Sequence, residues 1–253
     1  MSKAERSEVA IIGGGAAGLM CAISAAKRGR RVRVIEHANR CGKKILMSGG
    51  GRCNFTNTGT TPANFLSANP HYCKSALARY SPYHFIDLVE RHRIGYHEKE
   101  LGQLFCDVSS KQIVKMLLDE CTAAGVRIDL GCSIKEVVGS DSEFELRTSR
   151  GRLRCDSLVV ASGGLSIPTM GATGFGYELA QQFGHNILAT RAGLAPLTLS
   201  GTHQERLQDL SGVALAVNAS CNGQSFQNQL LITHRGVSGP AILQISNYWR
   251  PGD

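Results

Sequence analysis

Residues 8–37 read EVAIIGGGAAGLMCAISAAKRGRRVRVIEH, and this stretch decides the fold. EVAII is a short apolar run that ends in glycines, as a buried parallel strand does. Gly13, Gly15 and Gly18 follow in G-x-G-x-x-G spacing. A helical stretch, AAGLMCAISAAKRG, opens at once, with the small residues Ala22 and Ala25 suited to close packing on a sheet. RVRVIEH then supplies a second strand ending in Glu36. A glycine triad alone is weak evidence. Strand, glycine turn, helix, strand and acid in that order point specifically to a dinucleotide-binding unit. Gly13 permits the tight turn, and Gly15 lets the backbone approach a pyrophosphate. The helix N-terminus offers that phosphate its N–H groups and the positive end of its dipole. Glu36 is placed to accept hydrogen bonds from a ribose hydroxyl pair.

An acid at this position disfavours the extra phosphate of NADP in this pocket, but it does not separate FAD from NAD. The next segment does more. Residues 43–57 read KKILMSGGGRCNFTN, a glycine-rich loop where an NAD dehydrogenase usually continues into another helix and strand. Three successive glycines can present their N–H groups as an anion nest. Lys43, Lys44 and Arg52 add positive charge around it. Such a loop suits a diphosphate or the electron-rich edge of a reduced flavin.

The whole chain, 253 residues with 42% hydrophobic and 19% charged, has an ordinary globular composition. Its length fits one large domain, or one domain with a smaller insertion. The nine cysteines are odd in number, and none falls in C-x-x-C spacing. That pattern predicts reduced thiols and a cytoplasmic setting rather than a disulfide framework or a zinc site. The polar start MSKAERSE predicts no signal peptide, and no apolar run approaches a membrane span. His92, His97 and Glu98 lack metal-ligand spacing, so no metal is expected. The net charge of +8 favours a polyanionic partner only weakly. One basic cluster, Lys27, Arg28, Arg30, Arg31 and Arg33, falls where the first helix returns to the second strand. In a parallel sheet that is the end opposite the ligand crevice.

Further along, Ser81-Pro82 reads as an N-cap and first-turn proline opening a helix over YHFIDLVERHR. SSKQIVKMLLDECTAAG reads as another helix, stopped by Gly125. VRIDLG, SIKEVVG and FELRTSR alternate as strands of a small antiparallel layer, and LVVASGG as a buried parallel strand ending beside a dinucleotide. GYELAQQFG is a short helix with Gly184 as its stop. After Arg191 the chain turns to short β-like runs such as GVALAVNASC and NQLLITH. This places a domain boundary near 190, with a Rossmann-like domain over 1–190 and a β-rich segment over 191–253. His234 and Arg235, beside a glycine, read as a structural turn or as a phosphate or substrate contact.

GGGAAGLMCA, the strand ending in Glu36, SGGGRCNFTN, LVVASGGLSIP, GFGYELAQQFGH, RAGLAPLTL and LITHRGVSGPAILQIS together resemble the BaiN/RdsA (YhiN-like) family of FAD-dependent oxidoreductases. Cys106, in GQLFC at 102–106, makes the enterobacterial branch of that family the most similar. The resemblance implies an α/β, Rossmann-like FAD-binding fold of the two-dinucleotide-binding-domain type with an inserted β-rich domain. Family chains run on past this point and return to the FAD domain, so the same resemblance implies a C-terminally incomplete fold. It implies that hydride passes from NAD(P)H through FAD to a carbon–carbon double bond. The substrate it implies is a uridine of large-subunit ribosomal RNA, reduced to dihydrouridine. Carried over by position, Gly13, Gly15, Ala16, Ala17, Glu36, Lys44, Ser48, Gly49, Gly50, Gly51 and Arg52 line FAD, and Ile134 flanks the adenine. Such a reduction needs a proton donor, and Cys53 and Cys106 are the candidate thiols. A reductase of a small-molecule enone and a non-catalytic flavin- or RNA-binding assembly factor remain open beside this reading.

Overall fold

The structure, a computed structural model, describes residues 5–140, 142–250 and 252–253. It divides into two compact units, one reaching Asn186 and the other beginning at Ile187. The first contains β1 (Glu5–Ile12), α1 (Ala16–Ala26), β2 (Val32–Ile35), α2 (Lys43–Met47), β3 (Asn54–Asn57), α3 (Lys74–Arg79) and α4 (Pro82–Arg91). It continues through β4 (Tyr96–Glu98), β5 (Gln103–Cys106), α5 (Lys111–Ala123), β6 (Arg127–Asp129), β7 (Ile134–Gly139), β8 (Phe144–Thr148), β9 (Gly151–Val160) and α6 (Phe175–Gln182).

The main sheet has six strands in the order β6-β2-β1-β9-β8-β7. β6, β2, β1 and β9 run parallel, whereas β8 pairs antiparallel with both β9 and β7. Alternation along β1 fills both faces. Ile11 packs with Leu19 and Ala22 of α1 and with Ile113, Met116 and Leu117 of α5. Its neighbours Ala10 and Ile12 face the other way, against Leu146, Leu153, Cys155 and Leu179.

One expectation from the sequence is corrected here. VRIDLG does not belong to a small antiparallel layer. It forms β6, which pairs parallel with β2 through Val34↔Ile128 at the edge of the main sheet. The reason lies in the preceding helix. α5 is a crossover element, and a strand that returns through a crossover helix joins its partner in parallel. SIKEVVG and FELRTSR do pair antiparallel, but as part of the same sheet. β9 serves both regimes: its first half closes the hairpin with β8, and from Leu153 to Val160 it runs parallel to β1.

A second, three-stranded sheet, β3-β5-β4, is antiparallel throughout. α4 begins as its sequence predicts, with Pro82 in the first turn and Ser81 and His84 forming a reciprocal cap. Its amphipathic pattern buries Ile86, Leu88 and Val89. α5 ends before Gly125, which adopts φ 73 as a left-handed helix stop.

The second unit contains β10 (Leu197–Thr198), α7 (Thr202–Gln208), β11 (Ala214–Cys221), β12 (Gln224–Thr233), β13 (Gly236–Ser238) and α8 (Pro240–Ile245). Its sheet is antiparallel in the order β10-β13-β12-β11. β11 and β12 form a hairpin around Asn222 and Gly223, both at positive φ, the geometry of a tight two-residue turn. Among the described residues, no helix is long and apolar enough to cross a membrane.

Candidate dinucleotide site

The site lies at the carboxyl ends of β1, β2 and β9, where a parallel sheet opens its ligand crevice. β1 stops at Ile12, and Gly13 donates its N–H to the Ile35 carbonyl at 2.9 Å. The turn is too close for side chains. A Cβ on Gly13, which has φ +109, would lie 2.4 Å from the Ala161 carbonyl oxygen. One on Gly18 would lie 1.9 Å from that of Gly13. Gly15 is different: a Cβ there meets nothing within 4 Å. It faces open space where a ligand can come against bare backbone.

α1 starts directly after Gly15, and no side chain caps it. Its first-turn N–H groups, from Ala16 to Gly18, have no partners within the helix. They are therefore donors available to a phosphate. Glu36, directly after β2, is buried and well partnered. Its Oε2 accepts from the Gly14 N–H and its Oε1 from the Ala38 N–H, both at 2.7 Å. His37 Nδ1 stands 3.1 Å from Oε1. Each of the two Glu36 oxygens accepts one backbone N–H and has a further lone pair, so Glu36 retains acceptor capacity for ribose hydroxyls.

These residues open on a cleft of about 460 Å³, within the range of small-molecule and cofactor sites. Gly13, Gly15, Ala16, Ala17, Glu36, Lys44 and Ile134 all line it, as does Lys43. Lys44 Nζ also donates to Ser166 Oγ at 2.7 Å, joining α2 to the loop that follows β9. Buried acid, uncapped helix end, bare Gly15 and cationic wall make a donor set that fits an adenine dinucleotide.

Ser48, Gly49, Gly50, Gly51 and Arg52 stand elsewhere, outside the residues that line this cleft. They form the turn between α2 and β3, with Gly49 and Gly50 both left-handed at φ 57 and 64. Only glycine takes two such steps in succession at little cost. A Cβ on Gly49 would lie 2.7 Å from the Phe105 ring. Arg52 donates from Nη1 to the Asp107 carbonyl at 2.8 Å, and the Cys106 N–H donates to the Arg52 carbonyl. β3 pairs with β5 through Asn54↔Phe105. SGGGRCNFTN and GQLFC, far apart in sequence, are thus hydrogen-bonded neighbours.

Cys53 and Cys106 are both buried in the core behind this turn, and neither lines the cleft. Burial pushes the Cys106 thiol up to about 11, with Cys53 beside it adding to the rise. Burial also raises Cys53, against a hydrogen bond from Ser48. Both are neutral thiols near pH 7. A proton donor must come within hydrogen-bond reach of its acceptor. In this structure both side chains pack within the core.

Ser162 and Gly163, at the LVVASGG strand end that the sequence places beside a dinucleotide, also line the cleft, and residues that the sequence did not single out complete it: His37, Arg40, Thr173 and Phe175. A signal for the last two existed in the glycine-rich GATGFG ahead of α6. Arg40 carried none, because its place depends on the turn after Glu36. His92 pairs with Glu120 and His97 with Asp107, at 2.9 and 2.7 Å. No metal-holding group occurs among the described residues. His234 and Arg235 occupy the β12–β13 turn, closed by Thr233 Oγ1 donating to the Gly236 carbonyl.

Fold and cleft together define a Rossmann-like dinucleotide-binding domain. The chain belongs to the family described as HI0933-like protein Rossmann domain, whose model matches residues 7–242. It is 53% identical over 250 residues to a ribosomal RNA dihydrouridine synthase of Escherichia coli strain K12, covering 98% of this chain and 62% of that protein. It is also 53% identical over 251 residues to the protein of the same name from Haemophilus influenzae, covering 97% and 62%. The chain thus spans about 62% of the length of these relatives. Among solved structures, glycine oxidase from Geobacillus kaustophilus shares the fold with a TM-score of 0.52 at 18% identity, over 71% of this chain and 59% of that one.

Proposed function

We propose that the protein is an FAD-dependent reductase that converts a uridine of large-subunit ribosomal RNA to dihydrouridine, with NAD(P)H as the reductant. The observation that carries this is the 53% identity, over 98% of the chain, to a ribosomal RNA dihydrouridine synthase. The cleft supports the cofactor half of the reading. Glu36 would accept from the adenosine ribose, Ala16 and Ala17 would offer N–H groups to the diphosphate, and Ile134 would lie against the adenine. Arg40, Lys43 and Lys44 would offset the diphosphate charge. A flavin held there and reduced by NAD(P)H would supply the hydride for the carbon–carbon double bond. A proton completes the addition at the neighbouring carbon.

The glycine turn Ser48–Gly51 and Arg52 would hold the flavin end, with Arg52 fixed by the Asp107 carbonyl so that its charge stays in place. Cys53 and Cys106 remain candidates for the proton only if their packed thiols become exposed with substrate bound. Nine free cysteines suit a cytoplasmic enzyme. The test is mass spectrometry of nucleosides from large-subunit RNA. Deleting the gene should remove a dihydrouridine, and restoring it as Glu36→Ala should give little or none back. An unchanged nucleoside profile in the deletion overturns the proposal.

A further inference from the structure

Between Glu36 and Asp87 lie fifty residues without one Asp or Glu, in a chain whose 253 residues include 20 acids. The same tract holds Arg40, Lys43, Lys44, Arg52, Lys74 and Arg79. None of these six cations pairs with a carboxylate among the described residues. The first four flank the cleft and the glycine turn. Lys74 and Arg79 lie further on, in a part of the chain with an unusual surface.

α3, between them, buries none of its residues. Around it, Phe65, Tyr72, Tyr80 and Tyr83 are 40, 52, 42 and 60% exposed. Yet the segment is anchored. Cys73 is buried with its sulfur 3.9 Å from the Pro62 carbonyl. Tyr80 stacks on His84 with ring centroids 5.5 Å apart, and His84 is held by the Ser81 hydroxyl at 2.9 Å. α3 is six residues long, so about 9 Å of helix separates its ends. Each end carries a cation beside an exposed ring: Lys74 by Tyr72, and Arg79 by Tyr80.

We propose that α3 and its flanks, from Phe65 to Tyr83, form a docking surface for single-stranded RNA. Bases stack on Tyr72, Tyr80 and Tyr83, and phosphates lie against Lys74 and Arg79. The proposal rests on the RNA reductase reading above and adds where the substrate strand is held. Exposed rings accept any base by its π-face. Unneutralised cations draw the backbone, and no Asp or Glu within residues 37–86 repels it; Asp87, close enough to act on Tyr80, marks the acidic edge of the surface. The chemistry also creates the need. A uridine reaches a buried cofactor only by leaving its stack, and contacts to flanking nucleotides offset that loss.

The experiment measures binding of a fluorescently labelled, uridine-rich single-stranded RNA to the chain across a salt series. Tyr72→Ala with Tyr83→Ala should weaken binding about tenfold or more, while Tyr72→Phe with Tyr83→Phe should retain it. Lys74→Ala with Arg79→Ala should weaken binding and lower the slope of log affinity against log salt by about 1.4. All four positions are exposed, and circular dichroism checks that the variants fold. Unchanged affinity in the alanine variants overturns the proposal. So does unchanged affinity with an altered oligomeric state, which assigns the surface to a protein contact. Cellular dihydrouridine is scored separately. Unchanged RNA affinity with normal dihydrouridine removes the docking surface and leaves the reaction. Affinity lost in the variants, with no dihydrouridine made by the wild type, removes the reaction and leaves the docking surface.

Discussion

Both ends of the main sheet carry cations and use them differently. At the amino end, where β1 and β2 begin, Arg30 and Arg31 pair with Glu8, Arg33 with Glu5 and Asp129, and Lys27 with Glu120. The basic cluster that stands out in the sequence is largely neutralised by acids brought to it from β1, β6 and α5. At the carboxyl end, Arg40, Lys43 and Lys44 line the cleft, and among the described residues the one acid lining it is the buried Glu36. A run of arginines in sequence is therefore a poor guide to where an anion binds. What matters is whether the fold supplies counter-ions, and here it supplies them at the end away from the cleft.

The largest effect should come from breaking the carboxyl end at its backbone. In Gly18→Val the new Cβ would sit 1.9 Å from the Gly13 carbonyl oxygen, and backbone has to move. We expect a loss of about 3 kcal/mol of stability, read as a lowered midpoint in thermal unfolding, and no measurable dinucleotide binding. A variant that unfolds at the wild-type temperature would show that the turn is looser than its geometry.

Next comes Glu36→Gln. The amide keeps the shape but presents one acceptor oxygen to two backbone donors, Gly14 and Ala38. Hydrogen bonds to a charged group are worth about 1.5–3 kcal/mol. FAD retention on dialysis, followed by its absorbance, should fall at least tenfold, with a smaller fall in stability. Retention equal to wild type would detach Glu36 from ligand binding altogether.

These two positions mark what was legible in the sequence. The series from β1 to Glu36 is local: each residue's role is set by neighbours within one strand–helix–strand unit. The same holds for the Ser81-Pro82 helix start and the Gly125 stop. The misplacement of β6 is of another kind. Its three residues fix a strand, but only the crossover through α5 decides that it lies beside β2. The pairing of SGGGRCNFTN with GQLFC depends on β3 meeting β5 across the intervening α3 and α4. The burial of Cys53 and Cys106 is likewise not legible in the sequence, because nothing local reports it. Salt bridges at the amino end were hidden for the same reason, since each partner arrives from a different element.

A direct contrast of the two basic regions should give an intermediate effect. Arg30→Ala with Arg31→Ala removes two cations that share the carboxylate of Glu8. RNA affinity should change little, and the salt slope should stay near the wild-type value. Lys74→Ala with Arg79→Ala removes the same formal charge from the acid-free tract and should lower the slope by about 1.4. Equal slopes in the two double variants would show that net charge, rather than its placement, sets the affinity.

The smallest effect concerns acid. Glu120 has its carboxyl held below the ordinary value of 4.5, first by Lys27 and then by His92. Glu8 is lowered too, chiefly by the Arg31 backbone N–H. A carboxylate whose folded pKa is depressed binds fewer protons folded than unfolded. Its contribution is present above the unfolded value and fades as pH falls through the folded one. Stability should therefore decline below about pH 4.5 in part through these two groups. Lys27 is half exposed, so screening keeps the Glu120 share under about 1 kcal/mol. Glu120→Gln should flatten the acid limb of a plot of unfolding midpoint against pH while leaving dinucleotide binding untouched, because the pair sits at the amino end. An acid limb as steep as in wild type would mean that these ion pairs are formed equally in the unfolded chain, and the neutralised end of the sheet would then owe its stability to packing alone.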